Sequence, residues 1–257
     1  MKPVADQTIL VTGSTDGHGR RAAEELAGRG ANVIVHGRDP EKTRAVASDI
    51  GAGEALVADL ASLDEVRRLA GQVGPIDALV NNAGIISPER RTSADGHELT
   101  LAVNYLSHFL LTSLLLDRLV EPARIVNVAS IGQAPFDFGD PMYERGYDGY
   151  GAYARSKLAQ VTSSFELAER LRDREVTVNA LHPATLMDTK MVREALGRPH
   201  TTVNEGVRAT LRLITDPGLD GVSGRFFDGE REATAHDQAY DPEARRRLWE
   251  LSERLTG

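Results

Sequence analysis

The chain has no cysteine. That excludes a disulfide framework, a thiolate nucleophile and any cysteine-ligated metal, and it fits a cytoplasmic protein, which has no need of such staples. Basic charge is also in deficit: 30 Lys and Arg against 38 Asp and Glu leave a formal net charge of −8. No basic surface for nucleic acid or for an anionic membrane is therefore expected. The seven histidines include no His-Glu-x-x-His or comparable cluster, so no metal site is expected. No Gly-x-Ser-x-Gly elbow follows a strand, which argues against a hydrolase; His182 reads as part of a His-Pro turn ending a strand. The most apolar stretch, 110–119, is interrupted by Thr112, Ser113, Asp117 and Arg118 and reads as too short and too polar to span a bilayer. Residues 1–7 run directly into an apolar strand, leaving no room for a signal peptide. A soluble cytoplasmic protein is the expectation.

What is present is an alternation. Short β-branched runs at 8–11, 33–35, 55–58, 78–80, 125–128 and 176–178 are separated by amphipathic segments at 20–29, 41–50, 63–72, 99–119, 152–171 and 204–214. Such alternation means βαβ units and a mostly parallel sheet. The strands are continuously apolar, as expected where helices cover both faces. The fold class is α/β, a doubly wound Rossmann-type sheet in three αβα layers. With no repeat, low-complexity tract or dividing linker, residues 1–257 are expected to form one domain. Two segments break the rhythm, 133–149 and 186–202, and both follow strand ends, where ligands bind in open α/β sheets. They are candidate substrate walls.

The first strand is followed by Thr12-Gly13-Ser14-Thr15-Asp16-Gly17-His18-Gly19 and then at once by a helix. Gly13 permits a tight turn, Gly17 lets backbone amides approach a pyrophosphate, and Gly19 lets the helix pack close to the strand, with the helix N-terminus facing the anion. The second strand ends His36-Gly37-Arg38. A carboxylate there would accept bonds from a ribose diol, whereas a guanidinium pairs with a 2′-phosphate. The arginine favours NADP(H) over NAD(H); Asp39 is expected to cap the next helix instead. Asp59, after the third strand, is placed to meet an adenine amino group. Asn81-Asn82-Ala83-Gly84 closes the fourth strand with small residues that allow close approach to a cofactor.

Further on, Tyr153 and Lys157 stand four residues apart, on one face of a helix, downstream of Ser130. An ammonium at ~4 Å from a phenol, at an effective dielectric of ~20, contributes ~4 kcal/mol, enough to bring the tyrosine pKa down by ~3. The pair is thus expected to make Tyr153 a usable proton donor. Taken one at a time, Tyr153 also reads as an amphipathic core residue, Lys157 as a solvated charge and Ser130 as a strand-end cap.

In these residues the chain resembles a classical short-chain dehydrogenase/reductase over nearly its whole length, and more closely the retinol-dehydrogenase-like branch. The segments that carry the closer resemblance are 59–63, 103–112, 136–138, 156–159 and 248–252. The resemblance implies a catalytic tetrad of Asn104, Ser130, Tyr153 and Lys157. It implies cofactor contacts from Gly13, Gly17, Gly19, Arg38, Asp59, Asn82 and Gly84, and the candidate set extends to Ser14, Thr15, Asp16, His18, Leu60, Ala83, Pro183 and Thr185, together with Tyr153 and Lys157. The implied reaction interconverts a carbonyl compound and an alcohol by hydride transfer. Tyr153 moves the proton, Lys157 holds the ribose hydroxyls and lowers the tyrosine pKa, Ser130 bonds the substrate oxygen, and Asn104 supports a water that links the lysine to solvent.

The chain departs from the family pattern in places. His18 replaces an Ile or Leu, and it either extends toward the cofactor phosphate or is a polar residue tolerated at the rim. Ala184 replaces the glycine expected after Pro183, and Thr189 is displaced by one, which leaves its contact with the nicotinamide amide open. The N-terminal anchor of membrane-bound retinol dehydrogenases has no counterpart, so a retinoid substrate is not expected to follow from the fold. Phe136, Phe138, Pro141, Met142, Tyr143, Tyr147 and Tyr150 suggest an apolar or aromatic-sized carbonyl substrate, or simply a pinned loop. A nucleotide sensor without turnover and an NAD-dependent alcohol dehydrogenase are the alternative readings. A homo-oligomer through the helices near Leu99 and Ala152 is a further expectation, one that members of the closer branch need not share.

Overall fold

The computed structural model describes residues 2–257. Its centre is an eight-stranded sheet of order β3-β2-β1-β4-β5-β6-β7-β8. The strands are β1 (Thr8–Val11), β2 (Asn32–Gly37), β3 (Glu54–Val57), β4 (Ile76–Asn81), β5 (Leu119–Val128), β6 (Val176–His182), β7 (Arg225–Asp228) and β8 (Arg231–Ala233). Every neighbouring pair is parallel except the terminal β7–β8 hairpin.

Successive side chains of a strand point to opposite faces, and here both faces are buried. Leu10, Leu79, Ile125 and Val178 enter one core, shared with α3 (Leu63–Gln72), α5 (Ser107–Leu115) and α8 (Pro242–Thr256). Ile9, Val11, Val80, Val126 and Leu181 enter the other, shared with α1 (Gly17–Gly28), α2 (Pro40–Ile50) and α7 (Val203–Thr215). Three layers result, as the alternation requires. Helix starts follow from side-chain caps: Asp39 accepts from the Lys42 N–H at the head of α2, Ser62 from the Glu65 N–H before α3, and Asp148 from the Gly151 N–H before α6 (Gly149–Arg170).

One helix differs from expectation. A short α4 (Leu99–Leu101), a π-helical stretch (Ala102–Leu106) and α5 continue as a single helix, Leu99–Arg118. By length and composition this helix is long and apolar enough to cross a membrane, which corrects the reading of 110–119 as too short and too polar; the apolar run begins at Leu99, well before the stretch read from sequence. In the fold, 78% of its most apolar window is buried inside the protein, so its hydrophobicity is explained by packing against the sheet and α3.

The C-terminal α8 lies over α5 and α6. The Trp249 ring meets Phe109 edge-on at 4.8 Å and carries the Arg170 guanidinium at 4.1 Å. Tyr105 Oη and Ser252 Oγ share a buried hydrogen bond of 2.6 Å.

Candidate active site

The carboxyl ends of β1, β4, β5 and β6 open on the same edge of the sheet, and the chain segments that leave them carry nearly all of the candidate residues. After β1 the backbone turns at Gly13, whose φ is +63°. A Cβ there would lie 2.8 Å from the Ala83 Cα, so only glycine lets this turn nest against the turn after β4. A Cβ at Gly19 would lie 2.2 Å from Asn82 Nδ2 and 2.4 Å from the Gly13 carbonyl oxygen. The helix therefore begins in direct contact with the strand ends, as the glycine spacing predicts. Twelve residues of α1 point their N-terminus at the loop, and such a cradle fits a pyrophosphate.

Several candidates brace this loop. Asn82 Nδ2 donates to the Thr12 and Gly13 carbonyl oxygens at 2.8 and 3.2 Å, and its Oδ1 pairs with His18 Nδ1 at 2.9 Å. His18 Nε2 meets Thr210 Oγ1 at 3.1 Å. His18 is thus buried between α1, the β4 turn and α7, with both ring nitrogens engaged, and it does not extend toward a phosphate. Burial lowers its pKa. Ser14 Oγ accepts from the His36 N–H at 2.9 Å in the interior. Leu60 and Pro183 are buried, and Thr185 Oγ1 bonds His182 Nε2 at 3.1 Å.

Two braces escaped the sequence reading. His36 Nδ1 accepts from the Gly13 N–H at 3.1 Å while Nε2 donates to the Ala58 carbonyl at 3.2 Å, and burial pulls its pKa down to about 4. Thr12 Oγ1 accepts from the N–H groups of Asn82 and Ala83. Both are long-range contacts that no local pattern announces.

At the outer end of the cradle, Asp16 caps α1 through the Gly17 N–H and pairs with Lys42 Nζ at 3.0 Å. The Lys42 hydrogen bond lowers the Asp16 pKa, and the lysine offsets a carboxylate at the helix N-terminus. Thr15 lies against Gly37. Arg38 is exposed just beyond β2 and makes no hydrogen bond or ion pair among the described residues. Asp59 Oδ1 accepts from the Ala61 N–H at 2.9 Å. Thr189 stands over the loop, its Cγ2 3.3 Å from where a Gly17 Cβ would be.

The second half of the site converges from β5, α6 and the π-helical stretch. Ser130 follows β5, and its Oγ accepts from the Gly132 N–H at 3.0 Å, which frees its own proton to be donated. Asn104 is fully buried. Its Oδ1 accepts from the Ile85 N–H at 2.8 Å, and its Nδ2 donates to the Ile85 carbonyl and to Ser156 Oγ. Lys157 Nζ donates to the Val128 carbonyl and to Gln160 Oε1, each at 2.8 Å, and lies 5.6 Å from the Tyr153 ring centroid. A Cβ at Gly84 would sit 3.5 Å from Asn104 Oδ1 and 3.7 Å from Lys157 Nζ, so Gly84 keeps the approach to both open. The four residues of the expected tetrad share one locus.

The electrostatics differ from the expectation that Lys157 lowers the Tyr153 pKa. Burial raises the phenol above its ordinary value, and its hydrogen bond with Ser130 acts in the opposite sense. Two acceptors hold the Lys157 ammonium, which lies 5.6 Å from the ring centroid, and burial brings its own pKa down to about 7. In the loop at 133–149, Phe136 packs edge-on with Phe138, and Arg155 lies 3.8 Å over the Tyr143 ring. Tyr147 Oη donates to the Ser87 carbonyl. These aromatics pin the loop, and the exposed apolar side chains beside the tetrad are Ile131 and Tyr150.

Residues 7–198 match the model of the short chain dehydrogenase family. Retinol dehydrogenase 13 of Mus musculus is 39% identical, the alignment covering 99% of this chain and 85% of that protein. Among solved structures, an uncharacterized protein from Mycobacterium Paratuberculosis superposes with a TM-score of 0.86 at 32% identity, over 100% of this chain and 95% of that one. A short chain dehydrogenase from Escherichia coli CFT073 complexed with NADPH gives 0.71 at 29%, over 88% and 97%. A 3-ketoacyl-(acyl-carrier-protein) reductase from Brucella melitensis complexed with NADH gives 0.70 at 25%, over 88% and 97%. The chain belongs to the short chain dehydrogenase family, in its retinol-dehydrogenase-like branch, and is an NAD(P)-dependent oxidoreductase.

Proposed function

We propose that the chain interconverts a carbonyl compound and an alcohol with NADP(H) as the preferred cofactor and Tyr153 as the general acid and base. A bound nicotinamide dinucleotide would supply or accept the hydride; the protein's part is to bind, orient and move a proton. The glycine cradle and the α1 N-terminus fit the pyrophosphate. Arg38, exposed just beyond β2 and unpaired among the described residues, fits a 2′-phosphate, which a guanidinium binds bidentately. Ser130 Oγ accepts from the Gly132 N–H and bonds the Tyr153 hydroxyl, so the two hydroxyls stand together where a carbonyl oxygen could be met. Tyr153 beside it keeps its proton at neutral pH and so acts in reduction as the donor. Lys157 retains one N–H beyond the two it has committed, for a ribose hydroxyl or for reprotonating the tyrosine.

The observation that carries this reading is the convergence of Asn104, Ser130, Tyr153 and Lys157 beside the glycine cradle. Turnover of a carbonyl panel with NADPH, in the wild type and in Tyr153→Phe, tests it. Loss of turnover with nucleotide binding kept supports the mechanism; unchanged turnover in Tyr153→Phe sinks it.

A further inference from the structure

We propose that Gln160 and His108 are positioning residues that hold the ammonium of Lys157 from behind, through a directed hydrogen-bond chain ending at a water-sized cavity. The proposal rests on Lys157 being part of the catalytic machinery, as read above, and adds two residues that touch neither substrate nor cofactor.

The chain has only one consistent polarity. Lys157 is a donor alone, so the end of the Gln160 amide facing it at 2.8 Å must be the oxygen. The amide nitrogen then faces His108 Nδ1 at 3.0 Å. An amide N–H donates, so Nδ1 accepts and the His108 proton sits on Nε2. That Nε2 is buried and has no partner among the described residues. His108 lines a cavity of about 20 Å³ together with Thr112, Ser113, Asn127 and Ser164, among others. The volume suits one water molecule, and its hydroxyl and amide lining supplies the partners a buried water needs. Ser113 is exposed, which places the far wall of the cavity at the surface.

The rest of the surroundings make Gln160 decisive. The titratable groups facing the ammonium are Tyr153 on its own helix and His108 from α5; β5 contributes the Val128 carbonyl, and the turn after β4 contributes backbone at Gly84. No carboxylate among the described residues acts on it. His108 stays neutral, since burial first and then Lys157 bring its pKa down to about 3. Among the described residues, one carbonyl and one side-chain amide are the hydrogen-bond acceptors of this buried ammonium. Gln160 is buried one turn beyond Lys157 on the same face of α6: it draws the amine toward itself and favours its charged form.

The test is an NMR titration of the full chain labelled with 13C at lysine. The sequence has four lysines, at 2, 42, 157 and 190, and the signal lost in Lys157→Arg assigns the buried one. Removing the acceptor in Gln160→Met is expected to lower the Lys157 midpoint by about half a pH unit or more, and Gln160→Glu to raise it by about one or more. Movement in opposite directions supports the proposal, since a purely structural role would not invert with the charge at 160. A midpoint in folded Gln160→Met equal to that of the wild type overturns it. If the methionine variant does not fold, Gln160→Glu decides, and a midpoint that fails to rise overturns the proposal. No nucleotide or substrate enters this measurement, so its failure is distinct from failure of the oxidoreductase reading, which would appear as absent NADPH binding or turnover.

Discussion

At the scale of single residues the site separates two jobs that one tyrosine could not do alone. Tyr153 is held above its ordinary pKa by burial and so carries its proton throughout the neutral range. Lys157, brought down to about 7, is the group that changes charge there. The proposed mechanism draws on the protonated pair in reduction, so carbonyl reduction is predicted to fall as pH rises through about 7, with alcohol oxidation rising over the same interval. Initial rates between pH 5.5 and 9 check this; a flat reductive profile to pH 9 would contradict it. Tyr153→Phe is predicted to lower turnover by at least about 100-fold, the usual range for a lost general acid, with the NADPH dissociation constant unchanged by fluorescence titration. The Tyr153–Lys157 pair and the glycine loop were legible in the sequence because each depends on short spacing along one element, whereas Asn104 and Ser130 came from other elements and were named through the family resemblance. The braces at His36 and Thr12 and the Gln160–His108 contact were not, because they join residues across the sheet or between helices.

At the scale of elements, the glycine loop is stiffened from three sides. His18 joins α1 to the turn after β4 and to α7. His18→Ala leaves Asn82 Oδ1 and Thr210 Oγ1 without these bonds in the interior and is predicted to destabilise the fold by about 1–3 kcal/mol, read as a lower urea midpoint, and to weaken nucleotide binding as the loop loosens. An unchanged midpoint would show that water replaces the ring. The six parallel strands and six helices expected from hydrophobic periodicity are all present, with ends shifted by a few residues, most at β5, which starts at Leu119 rather than 125 because Leu119 and Ala123 are buried along its early half. The β7–β8 hairpin escaped notice because its two strands offer only Phe226, Phe227 and Ala233 as apolar residues, too few for a period to register. The π-helical stretch carrying Asn104 has no sequence signature either; it is visible only in how the helix re-aims that amide at Ile85.

At the scale of the whole molecule, α8 packs on α6 and meets α5 through Trp249, whose ring lies against Phe109 and Arg170. The sequence signalled an amphipathic helix at 99–119 but not that a C-terminal helix of the same chain would pack against part of its outer side. Buried histidines set the response to acid. His36 and His108 are neutral in the fold, with pKa values near 4 and 3. Above about 6.5 neither folded nor unfolded chain protonates them. As pH falls through 6.5 the unfolded chain takes up protons that the folded chain refuses until pH 4 or below, so stability declines across that window. At about 1.4 kcal/mol per pH unit for each group, the two together cost about 4 kcal/mol at pH 5; urea unfolding at pH 5 and 7 reads the difference, and equal midpoints would contradict it. Fluorescence titration with NADPH and NADH, on the wild type and on Arg38→Ala, tests the proposal that this cradle takes a nicotinamide dinucleotide and that Arg38 selects the phosphorylated one. Tighter NADPH binding is expected in the wild type, reduced about 10- to 100-fold to the NADH level in the variant, as for loss of a charged hydrogen-bonding partner. Equal affinities in the wild type, or no effect of the substitution, would remove the 2′-phosphate assignment, and binding of neither nucleotide would contradict the account at its root.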